Sequence, residues 1–308
     1  MKGFSRELTV GVALVILLAA LAVFAPNFFE GQPLVSRLTS QMPALVAAIG
    51  VALVIMTRQI DISIGSQFGM CAVIAGTAAA AGLPIWVAIA CALGAGALMG
   101  AANGFLVAYL KLPSIVVTLA TMVIWQEVLR LWQKGRLLAL PEGVQWFGMS
   151  QGAGQGAVIA IAVLLLVGAA WAMKNLSAGR RIYATGSDAE AARLAGINPK
   201  AVTFGTFVMM GVLTGLAAVL NLVQSPQIQP NSGDGLELKA IAAAVVGGVA
   251  IAGGRGTLWG VLLGMLLLAN VNPALTHFHQ PAYWEKAIQG LVILIAVGAD
   301  RMRKRRIG

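Results

Sequence analysis

Long apolar runs alternate with short polar breaks along this chain, at the spacing of membrane-crossing helices. The runs are Leu8–Ala25, Pro43–Met56, Ser66–Ala81, Trp86–Val107, Ser114–Leu131, Ala157–Met173, Ala201–Leu222, Ala240–Ala252, Thr257–Asn270 and Ala287–Ala299. A helix needs about 20 apolar residues to cross a bilayer, so the second, eighth and ninth runs are short. Broken or tilted helices are tolerated where protein or a water-filled cavity surrounds them. The pattern predicts an all-α, polytopic membrane protein of about ten transmembrane helices. It forms a single transmembrane domain over residues 1–308. The first run also reads as a signal peptide, since Ala20-Leu-Ala22 resembles a cleavage site. The many runs that follow favour a retained span.

One break differs from the rest. Lys174–Lys200 is long and strongly charged. Ser187 can cap a short helix, with Glu190 three residues later as in a capping box. Asp188 and Glu190 suit the positive end of the helix dipole. Gly196 offers a stop, and Pro199 forbids continuation. The spacing predicts a helix of about two turns, roughly 12 Å long. A stiff charged helix between two spans suits a handle for a partner, and equally an ordinary solvated loop.

Composition agrees with a membrane protein: 59% of the 308 residues are hydrophobic and only 10% charged, with a mean hydropathy of +0.86. Soluble domains carry about 25% charged residues. The net charge of +10 does not point to nucleic acid, because the basic residues fall in separate short breaks and a tail. With the N-terminus inside, fifteen of the 21 lysines and arginines fall on the inner side. The positive-inside rule then places both termini and Lys174–Lys200 in the cytoplasm. The cysteines, Cys71 and Cys91, lie in apolar runs and suggest neither a disulfide nor a metal site.

Several chemistries are disfavoured. The chain has no Gly-x-x-x-x-Gly-Lys-Ser/Thr run, so it does not hydrolyse ATP through a phosphate-binding loop. Gly253-Gly-Arg255-Gly256-Thr257 lacks the lysine of such a loop and reads as a tight turn. His277 and His279 lack the further ligands of a closed zinc site, so no metal is expected. Gly-x-x-x-Gly patterns at Gly96–Gly100 and Gly260–Gly264 fit close helix packing. Polar residues within spans are costly in lipid. Asp61 and Ser63 at the break after the second run, Asn103, Thr118, Thr121, Glu127, Asn221 and Asn270 are of this kind. Each can cap a helix or bond to a neighbouring helix. Together they can line a polar path, with Asp61, Ser63, Asn103, Thr118, Thr121 and Asn270 as its candidate residues. They form no dense proton or sodium relay, so energy from a partner is the expectation. An ion-coupled secondary transporter of a small polar solute is the alternative.

Four blocks carry a family resemblance. They are Gln59-Ile-Asp61-Ile-Ser63-Ile-Gly65, Pro113-Ser-Ile-Val-Val-Thr118-Leu-Ala-Thr121-Met, Gly179–Gly186 with Ala191–Ile197, and Ala240–Gly248 with Gly253–Gly260. In this order they resemble the permease subunits of ribose-type ABC sugar importers. Arg58-Gln59 stands where that family commonly has Gly-Gly. With Gly69-Met-Cys71-Ala-Val it looks like the autoinducer-2 and rhamnose branches. The resemblance implies a non-catalytic subunit in a bacterial inner membrane, moving a monosaccharide or similar solute. It implies a second permease chain, two ATPase subunits that bind the ATP, and a periplasmic binding protein. It also implies that Ser187, Asp188, Glu190, Ala191, Ala192, Arg193 and Gly196 form the loop presented to the ATPase. The usual Ile-x-Leu-Pro ending of that loop is missing here.

Overall fold

A backbone in hydrocarbon must satisfy its N–H and C=O groups internally, and the apolar runs accordingly fold as helices. The computed structural model describes residues 4–24, 29–229, 231–277, 281, 284–291 and 294. His279, the basic tail 301–306 and residues 292, 293 and 295–299 of the last apolar run lie outside the described residues. The helices are α1 (Phe4–Phe24), α2 (Gly31–Met56), α3 (Ile64–Ala80), α4 (Ile85–Ala108), α5 (Ser114–Gln133) and α6 (Gln151–Asn175). Then come α7 (Ser177–Ser187), α8 (Ala189–Leu194), α9 (Pro199–Leu222), α10 (Leu236–Val246), α11 (Leu258–Ala269) and α12 (Val271–His277). Residues 284–291 are also helical. Two short strands, β1 (Leu138–Ala139) and β2 (Gln227–Ile228), pair antiparallel and tie the loop after α5 to the loop after α9.

The all-α, polytopic membrane architecture is as expected. Among the described residues, six helical segments are long and apolar enough to cross a membrane: α2, α4, α5, α6, α9 and Leu258–Thr276, which joins α11 to α12. Glu7–Val23 and Ile64–Ala80 are apolar but shorter. With 11 residues, α10 spans about 16 Å, roughly half of a hydrocarbon core about 30 Å thick.

Two helices are longer than their apolar runs. The second run was expected to begin at Pro43, yet α2 starts at Gly31 and continues through the proline. The polar residues ahead of Pro43 have tertiary partners. Ser36 accepts a hydrogen bond from Gln155 of α6 at 3.0 Å, and Gln41 accepts one from Lys239 of α10 at 2.6 Å. Similarly, α6 begins at Gln151 and buries Gln155.

The core is built around α2 and α9. The most apolar window of α2 is 83% buried, against 22% for α5 and α6, whose outer faces are left for lipid or another chain. The pair α4 and α9 packs most extensively, because Gly96 and Gly211 bring the two backbones together. A methyl group on either would strike the other's carbonyl oxygen. The second Gly-x-x-x-Gly pattern works the same way, with Gly260 and Gly264 of α11 lying against Gly247 and Ala243 around α10. Both patterns thus serve helix packing.

Candidate functional site

The charged segment Lys174–Lys200 holds two helices where one was expected. Gly179 packs on the backbone of Met173, which folds α7 back against the end of α6. Ile182 and Tyr183 pack on the core, while Arg181 is exposed. That split of apolar and charged positions was the sequence signal for α7. The cap of the next helix also differs. Ser187 remains the last residue of α7, and Asp188 takes the extended conformation (φ −157°, ψ 108°) and caps α8. Its carboxylate accepts from the backbone N–H groups of Glu190 at 2.9 Å and Ala191 at 3.1 Å. The Ser187–Glu190 capping box is therefore replaced, since one carboxylate reaches both free donors. Glu190 pairs instead with Arg193, at 3.0 Å to its Nε. Backbone N–H groups of Ala191 and Glu190 hold Asp188 below the ordinary carboxylate range. The Arg193 hydrogen bond does the same for Glu190. Gly196 ends the helix at φ +80°, as expected of the stop, and Ile197 N–H closes back on Ala192 O at 3.0 Å. Ala192 is buried, whereas Asp188, Glu190, Ala191 and Arg193 are exposed. The expected length of two turns shortens to six residues, about 9 Å.

This segment is fastened to the break after α2. Arg58, at φ 64°, donates through Nε to Ala252 O at 2.8 Å and through its guanidinium to Ser187 O. Gly254 N–H donates to Met56 O at 2.9 Å, and Gly186 lies directly on that same carbonyl. Tyr183 OH reaches Gly256 O at 2.8 Å. The turn at Gly253–Thr257, the end of α2 and the end of α7 thus form one unit. Thr257 also bonds to Glu7 of α1. All the breaks assigned to the inner side that take part here meet at one end of the bundle.

Beside this unit lies a buried polar knot. Asp61 Oδ1 accepts from Ser63 N at 2.8 Å and Ser63 Oγ at 2.6 Å. Asn103 Nδ2 donates to Ser63 Oγ at 2.8 Å and Asp61 Oδ2 at 3.2 Å. Gln67 Nε2 also donates to Ser63 Oγ, at 2.8 Å. Thr118 bonds to its own helix at Ser114 O, 2.9 Å, and contacts Ile60 O at 3.4 Å. Thr121 bonds to Thr118 O. Asp61, Ser63, Asn103 and Thr118 are each at most 1% exposed. The knot locks the irregular chain between α2 and α3 against α4 and α5. Asn270 joins neither knot nor loop: it ends α11 and donates to Leu266 O at 2.6 Å. Glu127 pairs with Arg130 at 2.8 Å on the exposed face near the end of α5.

A cavity of about 750 Å³ opens on the other side of α3. Gln67 belongs to the knot, and its neighbour Phe68 lines the cavity. The remaining walls come from α2 (Ser40, Pro43), the loop through Ser232 and Asp234, Lys239 of α10, and residues 284–291. Asn221 belongs to this lining. The other polar wall residues were missed in the sequence, where most sit in the polar loop before α10, Ser40 precedes the second apolar run, and Glu285, Lys286 and Gln289 lie beside or within the last one. The volume falls within the roughly 300–1,000 Å³ of small-molecule sites. Among the described residues, no group of three or more His, Cys, Asp and Glu could hold a metal ion.

Comparison with known proteins agrees with this layout. Residues 34–297 match the family described as Branched-chain amino acid transport system / permease component. The autoinducer 2 import system permease protein LsrC of Enterobacter sp. (strain 638) is 36% identical over 303 residues, covering 97% of this chain and 88% of that one. The protein of the same name from Salmonella typhi is 35% identical over 301 residues, covering 97% and 87%. That of Escherichia coli (strain K12 / DH10B) is 34% identical over 297 residues, covering 96% and 87%. No solved structure matches. The chain is thus similar in sequence to transport permeases along nearly its whole length, and it belongs to the family of branched-chain amino acid transport system permease components.

Proposed function

We propose that the chain is the membrane subunit of an ATP-driven importer, and that it moves autoinducer-2 or a related small sugar-like solute such as a monosaccharide. The observation that carries this is the fastening of α8 to the bundle. A segment capped by Asp188 and stopped at Gly196 is tied by Arg58 to the break between α2 and α3. Force applied at α8 is therefore delivered to the helices that border the knot and the cavity. The three permease relatives, named for autoinducer 2 import, support the solute class. On this reading Asp188, Glu190, Ala191, Arg193 and the Gly196 turn meet an ATPase subunit that binds the ATP. Ser187 and buried Ala192 hold the segment in place. Two permease chains face each other, and a periplasmic protein delivers the solute. The chain lies in a bacterial inner membrane with ten crossings, both termini and α7–α8 being cytoplasmic. The basic asymmetry of the breaks supports that orientation.

The test is reconstitution in proteoliposomes with an ATPase subunit and a periplasmic binding protein of an autoinducer-2 import system. ATP-dependent uptake of autoinducer-2, in excess of leucine, is the expected result. Uptake by the permease alone, driven by an ion gradient, would replace the ATP-driven reading with a secondary transporter.

A further inference from the structure

We propose that the cavity beside Phe68 is a solute subsite of the path, and that it takes a neutral, polyhydroxylated solute in preference to a branched-chain amino acid. Given that the chain is an importer permease as proposed above, the cavity defines the chemistry its solute must meet. Lys239 Nζ is held at 2.6 Å by the neutral amide of Gln41. Glu285 is held by two neutral amides, Asn272 at 2.6 Å and Gln289 at 3.1 Å. Each charged group is thus positioned by side chains that leave its charge in place.

An ammonium only donates hydrogen bonds and a carboxylate only accepts them. A hydroxyl does both, so a diol can bridge Lys239 and Glu285 without leaving either partner mismatched. Three serines and four carboxamides complete the polar wall, and these also suit hydroxyl and carbonyl groups. The charged lining is balanced, with Asp234 and Glu285 against Lys239 and Lys286. A net charge on the solute gains nothing from it. A branched-chain amino acid would need an apolar slot for its side chain, and the apolar lining is confined to Pro43, Ala44, Phe68 and Leu236. Phe68 offers little surface, at 5% exposure. Of the polar residues read from the sequence as able to line a path, Asn221 lies in this wall; Asp61, Ser63 and Asn103 bond to one another in the knot.

The test uses the assembled importer in membrane vesicles, with Cys71→Ala and Cys91→Ala as the parent. Ser232→Cys places a thiol in the cavity wall, and Gly152→Cys places one at the exposed start of α6. A small methanethiosulfonate should modify both. Autoinducer-2 should slow modification at position 232 alone, and leucine at neither position. Lys239→Gln should raise the KM for uptake by about tenfold, the size expected for losing a hydrogen bond to a charged group. Equal modification rates at position 232 with and without autoinducer-2, or protection by leucine instead, would overturn the proposal. Uptake by the parent is measured in the same vesicles. If the parent transports autoinducer-2 and position 232 is unprotected, only the cavity assignment fails. If the parent transports nothing, the importer reading fails and takes the cavity assignment with it.

Discussion

Arg58 donates from its guanidinium to the backbone carbonyl of Ser187, joining residues 129 positions apart in the chain. Its Nε holds Ala252 O at the same time. One side chain therefore ties the break after α2 to the last residue of α7 and to the turn before α11. Arg58 reaches both from a left-handed backbone conformation.

Removing the tie should uncouple the handle from the bundle. Arg58→Gln keeps a donor but loses the planar fork. Uptake is expected to fall severalfold while the permease still copurifies with the ATPase and hydrolysis continues. Parallel measurement of ATP hydrolysis and uptake checks this. Equal loss of both would show that Arg58 serves assembly rather than transmission.

The stop at Gly196 gives a second test. A β-branched residue at φ +80° is forced into a left-handed conformation that costs about 1–2 kcal/mol. Gly196→Val places its side chain in open space, since no atom would crowd an added Cβ. Its effect should therefore be conformational. Membrane abundance should stay near wild type while binding to the ATPase weakens. Wild-type binding and uptake would make α8 a mere connector.

Asp61→Asn probes the knot. The amide keeps the shape but replaces an acceptor oxygen by a donor facing Ser63 or Asn103. An unsatisfied buried group costs about 1–3 kcal/mol, so the melting temperature of the detergent-solubilised protein should drop. Uptake should fall in proportion to the amount folded. Loss of uptake at unchanged melting temperature would return Asp61 to the path.

Accessibility checks orientation. In the parent lacking native cysteines, Ser177→Cys at the start of α7 should resist an impermeant thiol reagent in intact cells with a permeabilised outer membrane. Gly152→Cys should react. Reversed labelling would invert the assigned sides.

The sequence determined those features that depend on near neighbours. Apolar runs located the helices, because each crossing must shed polar side chains over its own length. The start of α8 near Asp188 and its stop at Gly196 were also legible, because capping joins groups within four residues. Even there, which of Ser187 and Asp188 caps was settled by Ser187 being the end of a preceding helix. Tertiary structure decided the rest. The polar first turns of α2 are held by Gln155 and Lys239, partners that a hydropathy pattern does not contain. Asp61 meets Asn103 across 42 residues, and Arg58 meets Ala252 across 194. The cavity takes its walls from α2, α3, the loop before α10, and residues 284–291. A hydrogen bond between distant residues exists only once packing has brought them together. The chain's pattern therefore disclosed which residues are polar, and the fold decided which of them bind one another and which are left facing a solute.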